Sequence, residues 1–157
     1  MAGLGEEDLL RGNMKPRGFT LVEILIVMVI IALLATVAIP NFMRSRHNAN
    51  ETAAVVSMRT LTSALESYRG AQTPFSYPPG LNAMNASNPA YIDSVLASGT
   101  KQGYNFTYTL VGVNQFTLTA VPMVSGITGT RTFYVDQTGV IRVSALGTAD
   151  AGSPPLD

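Results

Sequence analysis

The 157-residue sequence contains no cysteine and a single histidine. The missing cysteine rules out disulfides and thiolate metal sites, but it leaves the compartment open, since many exported proteins also lack it. With one histidine there is no second partner for a nucleophile–base pair, and no catalytic constellation is present. His47 lies just past an apolar run beside Arg44 and Arg46 and reads as a solvated flank residue, not a base or a ligand. Nothing in the pattern calls for a metal or a cofactor, so the expectation is a protein that is not an enzyme. Charged residues are scarce at 13%, about half the share of an ordinary soluble domain, so much of this chain is not solvated surface. Ten basic residues balance ten acidic ones. No basic block is long enough to imply nucleic acid as a partner.

What the chain does have is one long apolar stretch. Phe19 to Ile39 is 21 residues, which as a helix spans about 31 Å and matches a bilayer hydrocarbon core of about 30 Å. Ahead of it, residues 1–18 hold Gly3, Gly5, Gly12, Pro16 and Gly18 among mixed charges without apolar periodicity, and read as an unstructured leader. Lys15 and Arg17 precede the stretch as cytoplasmic flanks do, although Arg44 and Arg46 follow its other end and weaken the charge argument for orientation. Pro40 should kink or loosen the helix, because proline removes one backbone hydrogen bond and clashes with the preceding turn.

The helical pattern continues beyond Pro40. Ala54, Met58, Leu61, Leu65 and Tyr68 recur at steps of four and three, while Arg59, Thr62, Glu66 and Arg69 fall off that stripe. This predicts one helix of about 50 residues, apolar all round at its start and one-sided afterwards, with Gly70 as its stop. Residues 71–103 read as loop, broken by Pro74, Pro78-Pro79-Gly80 and Asn88-Pro89, with one short helix at Ala90–Ala97 presenting Ile92, Val95 and Leu96 to a core. Tyr104, Phe106, Tyr108 and Leu110 alternate with polar residues, as do Phe116, Leu118 and Ala120. Thr132–Asp136 and Val140–Ser144 make a second strand pair, and the tail Gly147–Asp157 reads as irregular. The predicted fold is therefore α+β: a long N-terminal helix packed on a small four-stranded antiparallel sheet.

Glu23 is the residue that most needs a reason. A charge inside an apolar span costs about 2.5–3.5 kcal/mol on insertion scales, so it marks a function or a partner unless it reaches the headgroups from its place near the start. A chain cut before Phe19 would supply an amine as the counter-charge. Within one rigid helix that amine sits about 6 Å along the axis from Glu23, so the amine of a neighbouring copy is the better match.

Gly18-Phe19-Thr20-Leu21-Val22-Glu23, followed by an apolar run to Pro40, resembles the N-terminus of a type IV pilin or pseudopilin. The resemblance implies cleavage by prepilin peptidase between Gly18 and Phe19, N-methylation of Phe19, and an assembly role for Glu23 with Phe19. It implies that Pro40 breaks the helix in assembled filaments. It also implies the division of the chain: leader 1–18, long helix 19–70 with 19–39 as membrane span and later filament core, and globular head 71–157. The partners it implies are other copies of the same chain, prepilin peptidase, a pilus or secretion assembly platform, and the inner membrane before assembly, with the C-terminal domain outside the cytoplasm. Cell-surface adhesion, motility or DNA uptake would then be the role of the filament. The sequence departs from pilins that close the last loop with a disulfide. It also lacks the acidic C-terminal loop with which major pseudopilins bind calcium, since Asp136, Asp150 and Asp157 are too sparse for such a site.

Three readings follow: a pilus subunit, a pseudopilin of a type II secretion system, and a non-polymerising, single-span anchored binding domain. An ordinary secretory signal cut after Thr36-Val37-Ala38 fits less well, because its apolar region would be too long, would hold Glu23, and would place Pro40 two residues past the cut. Asn50-Glu-Thr52, Asn85-Ala-Ser87 and Asn105-Phe-Thr107 match the glycosylation sequon, a pattern common by chance.

Overall fold

Fifty-one residues of continuous helix, Leu21–Ala71 (α1), dominate the computed structural model, which describes residues 18–156. Of the expected leader, residues 1–17 lie outside the described residues. Good helix formers and the absence of internal glycine before Gly70 carry α1 through Pro40 without an interruption in the assigned helix. Its end at Ala71 falls one residue past the expected stop at Gly70, within the ordinary fraying of helix termini. The chain divides into two compact units at the Ile39–Pro40 bond, and every fully buried side chain among the described residues belongs to the second.

Two short helices follow α1, Leu81–Asn85 (α2) and Ser94–Ala97 (α3). The helix expected at Ala90–Ala97 is thus half as long: it starts where the Asp93 carboxylate accepts the Leu96 N–H at 2.8 Å, an N-cap that fixes the first turn. Ile92 and Leu96 are buried as expected, but Val95 points outward and is half exposed.

The sheet has five strands, not four: Thr100–Lys101 (β1), Tyr104–Gly112 (β2), Gln115–Pro122 (β3), Thr132–Asp136 (β4) and Arg142–Ser144 (β5), in an all-antiparallel meander of that order. The additional strand β1 is two residues long, too short to show alternation. It turns into β2 through Gln102 and Gly103, both at positive φ, the backbone that a two-residue hairpin needs. In β2 the alternation holds through Tyr104, Phe106 and Tyr108, but Leu110, expected inward, is 41% exposed although it pairs with buried Phe116. The register is unbroken as far as Leu110, which pairs with Phe116; a bulge follows, with Val111 as the extra residue before Gly112 pairs with Gln115.

The core joins the stripe Ala54, Met58, Leu61 and Leu65 of α1 to Tyr104, Phe106, Phe116, Leu118, Phe133 and Val135 of the sheet. Tyr68 completes the stripe at its margin, edge-on to Tyr91 at 5.5 Å. Tyr77 bonds its hydroxyl to Glu66 and packs edge-on against Phe116, so the segment after α1 is tied to both helix and sheet. The tail is irregular in geometry but not loose. Leu156 N–H donates to Ile141 O at 2.8 Å and Val143 N–H to Pro154 O at 2.9 Å, which returns the chain along β5.

Candidate assembly site

The N-terminal residues singled out from the sequence occupy the first turns of one unit. Gly18, Phe19 and Thr20 are irregular backbone ahead of α1, all exposed, and a side chain added at Gly18 would meet nothing within 4 Å. From Leu21 to Ile39 the large apolar side chains are 47–81% exposed on every side of the helix. The most apolar 18-residue window of α1 has a mean hydropathy of 3.0, and none of it is buried within the chain. Water does not tolerate such a surface uncovered. The hydroxyl of Thr36 bonds back to Ala32 O at 2.9 Å, so it brings no unsatisfied group into an apolar setting.

Glu23 stands in the first turn of α1. Its backbone N–H donates to Thr20 Oγ1 at 3.1 Å, and its own carboxylate accepts the Thr20 N–H at a long 3.5 Å. That reciprocal pair is a capping box, written in the sequence as Thr20-x-x-Glu23, and the acid also suits the positive end of the helix dipole. Reading Glu23 only as a membrane charge missed this local role, for which the Thr-x-x-Glu spacing was the available signal. Among the described residues, that long hydrogen bond is the only one the carboxylate accepts.

A second acid went unnoticed in the sequence. Glu51 is 97% buried. Its carboxylate accepts from Thr130 N–H at 2.8 Å, Thr130 Oγ1–H at 3.0 Å, Arg131 N–H at 3.1 Å and Arg131 Nε–H at 2.6 Å. Burial pushes this carboxyl up, but the bonds from Thr130 and Arg131 outweigh it and hold the group below its ordinary value. From the residue before it, Asn50 Nδ2–H donates to Thr128 O at 2.9 Å. These contacts stitch α1 to the loop between β3 and β4. The signal was Glu51 lying three residues before Ala54, in line with the buried stripe.

His47, expected to be solvated, is half-buried, and its Nε2 is sequestered without a hydrogen-bond partner among the described residues. Two of the three sequon amides are engaged, Asn50 with Thr128 O and Asn85 with Ile92 O at 3.1 Å, whereas Asn105 is exposed. Among the described residues no three His, Asp or Glu side chains gather as a metal site would require.

Comparison with known proteins bears on the same N-terminal residues. The family model described as the prokaryotic N-terminal methylation motif matches residues 13–39. The type II secretion system core protein G of Pectobacterium carotovorum is 37% identical over 67 residues, 43% of each chain. The type IV major pilin protein PilA of Myxococcus xanthus is 40% identical over 58 residues, covering 37% of this chain and 26% of the pilin. The type IV wide pilus major component PilA4 of Thermus thermophilus is 30% identical over 104 residues, 66% of this chain and 72% of the relative. The match thus spans less than half the length of the first two relatives and most of the third. No solved structure matches.

Proposed function

Because the chain belongs to the type IV pilin and pseudopilin family, we propose that it is a structural subunit of a type IV pilus-like filament. The precursor is anchored in the inner membrane by residues 19–39, with the head outside the cytoplasm. Prepilin peptidase removes residues 1–18 by cutting between Gly18 and Phe19, and Phe19 becomes the N-methylated terminus. Subunits then leave the membrane through an assembly platform, and residues 19–39 of many copies form the filament core, with the head (71–157) on the outside. Such a contact is heterologous: it joins different surfaces of two copies and propagates without closing.

One observation carries this reading. α1 begins as a fully exposed apolar helix with a single carboxylate in its first turn. Lipid covers such a helix in the precursor, and other copies cover it in the filament. The carboxylate distinguishes the two environments. In lipid Glu23 is a cost; beside the Phe19 amine of a neighbour it is neutralised and sets the register of packing. In this reading Pro40 breaks α1 in the assembled state, where neighbouring helices and the loss of one backbone bond act together. The head supplies no reaction chemistry, and the proposed role is structural.

The type II secretion core proteins among the relatives favour a second reading, a pseudopilin whose short filament stays beneath the outer surface. Both readings share the same processing and assembly steps. Mass spectrometry of sheared filaments tests them: the expected N-terminal peptide starts at N-methylated Phe19, and a mature terminus at Met1 or Ile39 overturns the proposal. Glu23→Ala should abolish filaments while leaving the subunit in the membrane. A non-polymerising anchored domain would instead reach its destination normally with that substitution.

A further inference from the structure

Within the unit that runs from Pro40 onward, two arginines line one cavity. It lies where Glu51, Val55 and Arg59 of α1 meet Arg131 and Leu156, and it encloses about 310 Å³. That is the small end of ligand pockets, which run from roughly 300 to 1,000 Å³, so it suits a small group and not an extended chain. Val55 and Leu156 pack against the core and give the cavity a partly apolar lining, where charges attract more strongly than on open surface. Leu156 is held in place by its N–H bond to Ile141 O at 2.8 Å.

The charges around the cavity do not cancel. Glu51 is the only carboxylate lining it among the described residues, and that group already accepts four hydrogen bonds, all from Thr130 and Arg131. It offsets Arg131 and leaves Arg59 uncompensated. The three ion pairs among the described residues use Arg69, Lys101 and Arg131, not Arg59. Arg131 is also set before any ligand arrives. Its Nε–H donates to Glu51 Oε2 at 2.6 Å, and its guanidinium carbon lies over the Phe133 ring, 5.8 Å from the centroid. Those two contacts fix the plane of the guanidinium while its Nη groups make no hydrogen bond among the described residues. Thr52, Val55 and Arg59 follow at steps of three and four, which keeps Arg59 on the face of α1 that lines the cavity. The groove beyond Arg59, bounded by Thr60, Ser63, Ser67 and Tyr91, has no second cation. The paired guanidinium groups therefore single out the smaller cavity.

We infer that this cavity is an oxyanion site, in which Arg59 and the Nη groups of Arg131 together take a small phosphate or carboxylate group. A guanidinium presents its N–H groups as a planar fork that matches the oxygens of either one. Two cations face one carboxylate here, and a singly charged anion restores the balance. Because Arg131 is oriented by Glu51 in advance, binding costs little of its side-chain entropy. The site lies wholly in the unit from Pro40 onward, so the inference stands apart from the filament reading. Two sources can supply the group. One is a free solute. The other is the carboxylate of Asp157, which follows Leu156 in the sequence and lies outside the described residues.

The test is a titration of the full-length, detergent-solubilised protein with inorganic phosphate, which replaces chloride at constant ionic strength. NMR at the arginine side chains reads the binding. The signals of Arg59 and Arg131 should move together along one saturable curve in the millimolar range. Arg59 is exposed, so Arg59→Gln should leave the protein folded and raise the half-saturation concentration about tenfold or more. Arg44→Gln, on α1 but outside the cavity, should leave it unchanged. Asp157→Asn separates the two sources. If a solute is the ligand, the Asp157→Asn and unmodified proteins titrate alike. If Asp157 fills the site, phosphate binds about tenfold or more tighter once its charge is removed. Either result keeps the oxyanion site. Absence of a saturable shift in both proteins overturns the inference, and so does a curve that Arg59→Gln leaves unchanged.

Discussion

From Leu21 to Ile39, helix α1 exposes aliphatic side chains in every direction, whereas from Glu51 to Leu65 the same helix buries one stripe and leaves the other in water. The backbone geometry is the same in both halves, so the difference is written entirely in side-chain periodicity. It teaches where each half draws its stability. The second half is held by its own chain, through Met58, Leu61 and Leu65 against Phe116, Leu118 and Val135. The first half has no such partner within the described residues, and its state depends on what surrounds it.

The sharpest way to break this contrast is to make the same substitution in each half. Leu61→Ala removes a fully buried side chain and leaves a cavity, so it should cost the head about 2–5 kcal/mol in chemical denaturation of the detergent-solubilised subunit. Ile30→Ala removes a similar side chain that is 51% exposed, and should leave the denaturation midpoint of the head unchanged. A comparable loss from both would mean that the halves share one core.

Glu51 defines the boundary where the buried stripe begins. Glu51→Ala leaves the Thr130 and Arg131 N–H groups without their acceptor, for an expected loss of about 2–3 kcal/mol. Arg131→Ala leaves the buried carboxylate with its bonds from Thr130 and the residue-131 N–H but without its cation, so it should cost a similar amount, roughly 2 kcal/mol. The clamp also has a pH signature. The folded carboxyl lies below its ordinary value near 4.5, so its contribution is complete above that value and is lost as pH falls through the lower folded one. As pH falls below the ordinary value near 4.5, the unmodified protein should lose more stability than Glu51→Gln, which has no proton to gain there. Parallel curves for the two proteins would show that the clamp is not titrating.

Legibility in the sequence follows the same contrast. The stripe Ala54–Tyr68, the strands from Tyr104 and Phe116, and the apolar run to Ile39 were readable because each repeats a period long enough to stand out. Strand β1 was not, since two residues carry no period. Leu110 was read as buried because alternation gives the face of a strand but not how far the core extends along it. The N-terminal motif was legible because it is tied to consecutive positions, Gly18 to Glu23, within the residues that the methylation-motif family matches. The Glu51 clamp was not, because its donors lie about 80 residues away and no local pattern links Glu51 to Thr130.

The smallest effect belongs to the first turn, where Glu23 and Thr20 cap α1. Its capping bond to Thr20 N–H is long, and the shorter one, from Glu23 N–H to Thr20 Oγ1, depends on threonine. Thr20→Ala deletes that acceptor and should weaken the start of α1 by about 1 kcal/mol. Amide exchange at Glu23 and Ile24 in detergent micelles should then speed up about fivefold, the equivalent of that free energy. Thr20→Ser should restore protection, because serine caps as well as threonine. Cleavage before Phe19 leaves the Phe19–Thr20 amide intact, so the cap is compatible with the processed chain and should protect the same amides in precursor and mature subunit. Protection that appears only after cleavage would instead assign the order of the first turn to the new terminus, with Glu23 turned toward an amine rather than toward Thr20.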